Sequence, residues 1–154
     1  MWGLTVENEP GAGFNPKYKW NSLGFNASLE RDFIKMDLGP ELHKHGYTKD
    51  KLKLMTYDDQ LTNFYAFNKV ILSDKEAAKY VSGIAFHWYQ TTAQNRININ
   101  ELFKVFKGYF ALATEACEEW HGKAHHVSLG NWATFDRYAD DIIKVKIRIH
   151  LNKV

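Results

Sequence analysis

The chain is poor in cysteine and proline, with one Cys and three Pro in 154 residues. The single thiol, Cys117, excludes an internal disulfide framework and a multi-cysteine zinc site. No apolar run approaches the roughly 18 residues that a membrane-spanning helix requires. The opening stretch, Met1 to Pro10, carries acids and a proline where an export signal needs an apolar segment, so no signal peptide is expected. Charge of one sign is lacking too. Twenty Lys+Arg against eighteen Asp+Glu leave a formal net charge of +2, too near balance to imply a nucleic-acid partner. Aromatic residues are plentiful at 15%, which suits core packing or the flat walls of a sugar or lipid pocket. The length fits one domain.

Four short apolar runs recur along the chain: Trp2 to Val6, Leu52 to Tyr57, Ile84 to Phe86 and Tyr109 to Thr114. Each lacks clean alternation, as strands buried on both faces do. Between them lie stretches with helical spacing. Asn26 is placed to cap a helix bearing Leu29, Phe33, Ile34 and Met36 on one side, and Gly39-Pro40 should end or kink it. Asp74 can cap Lys75 to Val81, and Asn98 a short helix through Phe106. Asn131 precedes Trp132, Phe135, Ala139, Ile142 and Ile143, the spacing of a helix lying on a sheet. The order βαβαβαβα implies an α/β fold with a parallel sheet and right-handed crossovers. From Lys144 to Leu151, apolar and basic residues alternate, which fits either a half-exposed strand or a basic helix end.

In parallel α/β folds, chemistry gathers at the C-terminal ends of the strands. Here those ends carry Glu9, Asp58 with Asp59, His87 with Tyr89, and Glu115. Two carboxylates at neighbouring strand ends can divide into a protonated acid and an ionised nucleophile, the pair a retaining glycosidase uses. Helix capping or pairing with lysine are the structural alternatives for each glutamate. Asn8, directly before Glu9, offers a neutral amide to a sugar hydroxyl, and Pro10 fixes the following turn.

Several blocks then carry a family resemblance: Leu-Thr-Val-Glu-Asn-Glu-Pro, Arg-Asp-Phe-Ile with Asp-Leu-Gly-Pro, Leu-Met-Thr-Tyr-Asp-Asp-Gln, Glu-Ala-Ala-Lys-Tyr-Val-Ser-Gly-Ile-Ala-Phe-His-Trp-Tyr, and Thr-Glu-Ala-Cys. In this order they resemble the glucosylceramidases of glycoside hydrolase family 30, from Trp2 to about Ile143. The resemblance implies the fourth to seventh βα units of a (β/α)8 barrel over residues 1–143, followed by a divergent basic tail over 144–154. It implies Glu9 as acid/base and Glu115 as nucleophile. Asn8 matches the amide that contacts the sugar, and Tyr89 a tyrosine bonded to the catalytic carboxylates. Trp88 and Tyr18 are expected at the pocket mouth.

The implied reaction is double displacement on glucosylceramide at a membrane surface, with a glucosyl ester on Glu115 and ceramide leaving with a proton from Glu9. No metal or organic cofactor is expected, because two carboxylates supply the chemistry. The family also implies a lysosomal location and an activator protein as partner.

Four units cannot close an eight-stranded barrel, since strand number, tilt and shear are linked. A truncated piece of a longer enzyme is therefore expected, with sheet edges open to self-association or to a partner chain. The competing functional reading is a catalytically inactive remnant. Cys117, His121, His125 and His126 mimic a metal cluster, but the His-Glu-x-x-His pattern is absent and solvated loop histidines are expected. Cys117 itself is expected as a small buried residue. His43 and His45 should lie on the surface. The sequon Asn26-Ala27-Ser28 is a glycosylation site in form, and its asparagine serves equally as a helix cap.

Overall fold

Among the described residues four parallel strands form the frame, and their order in the sheet is their order in the chain. The computed structural model describes residues 1–117 and 130–150, the last six as backbone only. Strands β1 (Gly3–Thr5), β2 (Lys53–Gln60), β3 (Gly83–His87) and β4 (Phe110–Glu115) pair in the order β1-β2-β3-β4. Each expected apolar run lies on one of them. Helices α1 (Ala27–Phe33), α2 (Gly39–Lys44), α3 (Phe64–Ser73), α4 (Lys75–Ala78) and α5 (Ile97–Val105) fill the connections, and α6 (Trp132–His150) follows β4. No helix among the described residues is long and apolar enough to cross a membrane.

The core joins the inner strands to the helices. Leu54, Ile84 and Phe86 from the sheet pack with Ile34, Phe64, Ile71, Leu72, Ile99 and Leu102. Each such side chain, fully buried, stabilises the fold by about 1.5–3 kcal/mol. All five residues of β3 are buried, as a strand covered on both faces should be. β4 is only partly covered, with Leu112 37% exposed. It is an edge strand among the described residues.

Caps explain where several helices start. The Asn26 side chain accepts the Leu29 N–H at 2.9 Å, and Asp74 Oδ1 accepts the Glu76 N–H at 2.9 Å. Asn131 Oδ1 accepts from the Ala133 N–H at 3.0 Å. Asn98 is no cap: it lies within α5, and its amide donates to the Leu61 carbonyl at 3.1 Å. The α4 helix stops at Ala78, short of Val81.

Gly39-Pro40 does not end the first helical segment. The chain runs from α1 through a π-helical turn, Ile34–Leu38, directly into α2, with the Gly39 N–H bonded to the Ile34 carbonyl. Widening the turn relieves the clash that proline makes with the preceding turn. The face that this segment buries also differs from expectation. Glu30 and Ile34 are fully buried, whereas Leu29 and Met36 are 47% and 64% exposed.

The last helix corrects two further expectations. Lys144 to His150 continues α6, so the strand reading fails and the helix-end reading holds. The helix does not lay its apolar residues on the sheet, for Trp132, Phe135, Ile142 and Ile143 are all more than half exposed. Its anchors are instead the Arg96–Asp141 ion pair at 2.8 Å, in which Asp141 is buried, and the stacking of Tyr138 on Trp88.

Two strand irregularities shape the carboxyl end of the sheet. Between Tyr57 and Asp59 the β2–β3 register slips by one residue, and Tyr57 and Asp58 take φ values of +77° and +54°. Left-handed backbone in non-glycine residues costs on the order of 1–3 kcal/mol each. A second slip in β4 passes over Thr114, so that His87 pairs with Glu115. Such bulges re-aim side chains.

Candidate active site

Glu9 lies beyond the end of β1 with φ +48°. Its N–H donates to the Asp58 carbonyl at 3.0 Å, which ties the first strand end to the β2 bulge. Its carboxylate accepts from the Tyr18 hydroxyl, from Gln60 Nε2 at 2.9 Å, and from His87 Nδ1 at 3.1 Å.

His87, at the end of β3, is the hub. Its side chain is 1% exposed, and its second nitrogen, Nε2, bonds Asp58 Oδ1 at 3.2 Å and lies 3.9 Å from Glu115 Oε2. Asp58 is held in turn by the hydroxyls of Thr5, at 2.7 Å, and Thr114. Burial pushes the imidazole pKa down, but the bonds to Asp58 and Glu9, with the charges of Asp58 and Glu115, raise it to about 9. Both nitrogens therefore donate at neutral pH.

The carboxylates feel that cation. The bond from His87 holds Glu9 below the usual glutamate range, against burial, with help from Tyr18 and Gln60. Burial pushes Asp58 up, and bonds from His87, Thr114 and Thr5 overcome it to leave the group low. The Tyr18 phenol is raised by burial and by its bond to Glu9, so it stays a donor.

Glu115 ends β4 with its side chain 41% exposed, the more open of the two glutamates. Its Oε1 accepts from the Tyr89 hydroxyl at 2.9 Å. Burial, then Cys117 and Glu115, raise the Tyr89 phenol. One oxygen of Glu9, one of Glu115 and a ring nitrogen of His87 all lie within 4.8 Å of one another. That trio has the donor types to hold a cation. The His87 imidazolium already supplies positive charge there, from the middle of the carboxylates.

The structure thus gathers Glu9, Glu115, Tyr89 and Tyr18 in one site. Trp88 stands by Tyr138 on α6, with ring centroids 4.8 Å apart and planes at 12°. Asn8 is exposed next to Glu9, and its side chain makes no hydrogen bond among the described residues. A depression of about 470 Å³, lined by Glu7, Trp20, Asn21, Ser22 and Leu23, adjoins the turn that bears Glu9. Ser22 Oγ donates to the Glu9 carbonyl there at 3.0 Å.

The sequence marks His87 and Asp58 only as strand-end groups and gives no part to Gln60 and Thr114. The bulge, invisible in the residue types, decides that Asp58 faces His87. Asp59 instead accepts the Gly11 N–H at 3.2 Å. Cys117 is exposed rather than buried, two residues past the end of β4 at Glu115. His43 and His45 are exposed as expected, while His121, His125 and His126 fall outside the described residues.

Comparison with known proteins shows the family. The chain is 46% identical over 144 residues to a Caenorhabditis elegans protein named "Putative glucosylceramidase 4", covering 94% of this chain and 27% of that one. It is 39% identical to the Mus musculus lysosomal acid glucosylceramidase, covering 93% and 27%. The chain thus spans about a quarter of the length of these relatives. The solved structure of SrfJ from Salmonella typhimurium shares the fold, with a TM-score of 0.76 at 23% identity, covering 94% of this chain and 30% of that one. The description "Glycosyl hydrolase family 30 TIM-barrel domain" matches residues 1–151, and the chain belongs to that family as four βα units of its barrel.

Proposed function

We propose that Glu9 and Glu115 are the acid/base and the nucleophile of a retaining β-glucosidase acting on glucosylceramide. The observation that carries this reading is their proximity, with one carboxylate oxygen of each within 4.8 Å of the other. Retaining glycosidases hold the pair about 5–5.5 Å apart, whereas inverting ones leave about 6.5–9.5 Å for a water. Glu115, the more exposed carboxylate, attacks the anomeric carbon and forms a glucosyl ester while the bond to the ceramide oxygen breaks. Glu9 gives that oxygen its proton. Glu9 then takes a proton from water, which displaces Glu115 and releases glucose. Tyr89 orients Glu115, Tyr18 and Gln60 orient Glu9, and Asn8 and Trp88 face the sugar and the pocket mouth.

The substrate class rests on the names of the relatives, which are glucosylceramidases. A lysosomal location is proposed on the strength of the mouse relative's name. Glu9 is held low by the donors around it, so it must first gain a proton before it can act as the acid. Ceramide brings the site to a membrane surface, and an activator protein is the partner proposed there.

A second reading is favoured by one observation: β1 and β4 each have a single strand neighbour among the described residues. On that reading the chain is a catalytically silent piece that binds a partner chain, or a second copy, through its open edges.

Covalent labelling separates the two. The 154-residue chain is treated with a 2-fluoro-β-glucoside inactivator and its peptides are mapped. A label on Glu115 that Glu115→Gln abolishes is the expected result. A folded, soluble chain that takes no label is instead the silent piece. If the chain takes the label, Glu9→Gln in fresh, untreated protein should slow substrates with poor leaving groups most, and equal slowing across leaving groups would remove Glu9 from the acid role.

A further inference from the structure

Glu30 lies in α1, outside the carboxylate cluster, and is fully buried. Its side chain makes one hydrogen bond among the described residues: Oε1 accepts the Tyr57 N–H at 2.9 Å. Its other oxygen is buried with no hydrogen-bond partner among them. A buried carboxyl on a core face is costly unless it does something for the groups it meets. What it meets is the first residue of the β2 bulge.

That bulge is where the site is aimed. Tyr57 and Asp58 both hold left-handed backbone, which neither residue favours by itself. The Tyr57 ring lies on the helix side against Phe64 and Phe67, and the Asp58 side chain turns the other way to His87, Thr5 and Thr114. The Asp58 carbonyl receives the Glu9 N–H at 3.0 Å. One peptide segment therefore sets both the partner of His87 and the main chain of Glu9.

We infer that Glu30 is a positioning residue, which pins the Tyr57–Asp58 bulge through the Tyr57 N–H and so aims Asp58 at His87 and fixes the turn bearing Glu9. Reach and acceptor geometry are what this role requires, not negative charge. Burial raises the Glu30 carboxyl to about 8 against the bond from the Tyr57 N–H, which favours the ionised form, and the charges of Asp58, Glu7 and Asp59 add to the rise. A neutral acid accepts the N–H without adding a further anion beside the cluster.

The inference rests on the site described above, but its test reads the His87 ring and needs no turnover. Failure of the glucosidase reading would leave it standing. The groups facing that ring are Glu9, Asp58 and Glu115, with the Tyr89 ring edge-on. The ring of His87 is titrated by NMR in the 154-residue chain and in three variants. Glu30→Gln keeps the reach and the acceptor oxygen, and should leave the His87 titration and the slow exchange of the Tyr57 and Glu9 amides unchanged. Glu30→Asp is one methylene too short, and Glu30→Met has no acceptor. Both should lower the His87 pKa by about one unit or more, a tenfold change in its protonation equilibrium. Both should also speed exchange of the two amides together. The inference is overturned if Glu30→Asp behaves as wild type while Glu30→Gln does not, since charge would then be the cause. It is overturned equally if all three leave His87 unmoved. Should Glu30→Met not fold, the Gln and Asp variants decide alone.

Discussion

The Glu9 N–H is bonded to the Asp58 carbonyl at 3.0 Å, while the two side chains take opposite nitrogens of His87. Main chain and side chain thus close one ring of contacts across β1, β2 and β3. Asp58 serves that ring twice. Asp58→Asn keeps an acceptor for Nε2 but removes an anion, so the His87 pKa should fall from about 9 toward its ordinary value. The stability loss should be larger at pH 6, where the imidazole is charged, than at pH 10. Urea midpoints at the two pH values check this, and an equal loss at both would show that Asp58 acts through packing alone.

Stability should also decline as the solution is made alkaline. His87 has a folded pKa of about 9, above its ordinary 6.5, so the folded state holds the extra proton between those values. Its contribution is complete below pH 6.5 and is lost as pH rises through 9. Glu30, raised by burial from 4.5 to about 8, also binds its proton more tightly when folded, and its linkage has the same sign over that range. Glu9 and Asp58, both held low, act oppositely and lose their contribution only in stronger acid. The melting temperature should peak in mildly acidic buffer and fall by several degrees toward pH 9. A flat profile from pH 5 to 9 would contradict the imidazolium assignment.

Removing the cation should free Glu9. The first cause of its low pKa is the bond from His87, so His87→Gln should raise the Glu9 carboxyl while Tyr18 and Gln60 still donate to it. The measurement is the ¹³C carboxyl titration of Glu9. An increase of about one unit is expected, by the usual worth of a charged neighbour within hydrogen-bond reach. An unmoved titration would mean that Tyr18 and Gln60 set the value.

Much of this architecture is legible in the residues. Four apolar runs give four strands, and Asn26, Asp74 and Asn131 act as caps because their short side chains reach back to exposed N–H groups. The site carboxylates are legible for the same reason as the strands: parallel βα units deliver their ends to one side. What escapes the sequence depends on register and on covering layers. Nothing in Tyr57-Asp58-Asp59 says which aspartate faces His87, since one inserted residue exchanges them. The α3 helix begins at Phe64 after Asn63, a cap-type residue whose side chain makes no capping bond, so residue type and capping part company there. The apolar spacing of α6 is real, but burial needs a surface to meet, and among the described residues Trp132 and Phe135 have little.

The π-helical turn makes a prediction at Gly39. This residue has ordinary helical backbone, φ −62°, so alanine there suffers no conformational penalty. The difficulty is space. An added Cβ would lie 2.4 Å from atoms of the Tyr80 ring and 2.5 Å from the Ile34 carbonyl oxygen. That oxygen is the one bonded to the Gly39 N–H in the widened turn, so relief requires moving either the ring or the turn itself. Gly39→Ala should cost about 1–3 kcal/mol, the usual range for overpacking. Gly46 provides the contrast. Its φ of +77° penalises alanine through the backbone, but the nearest atom is Lys51 Nζ at 3.8 Å. Denaturant midpoints of the two variants, each combined with Tyr80→Ala, separate the mechanisms. Removing the ring should recover part of the loss at Gly39 and none at Gly46. If Tyr80→Ala gives Gly39→Ala no relief, the contact with the Ile34 carbonyl carries the cost and the π turn is the rigid element.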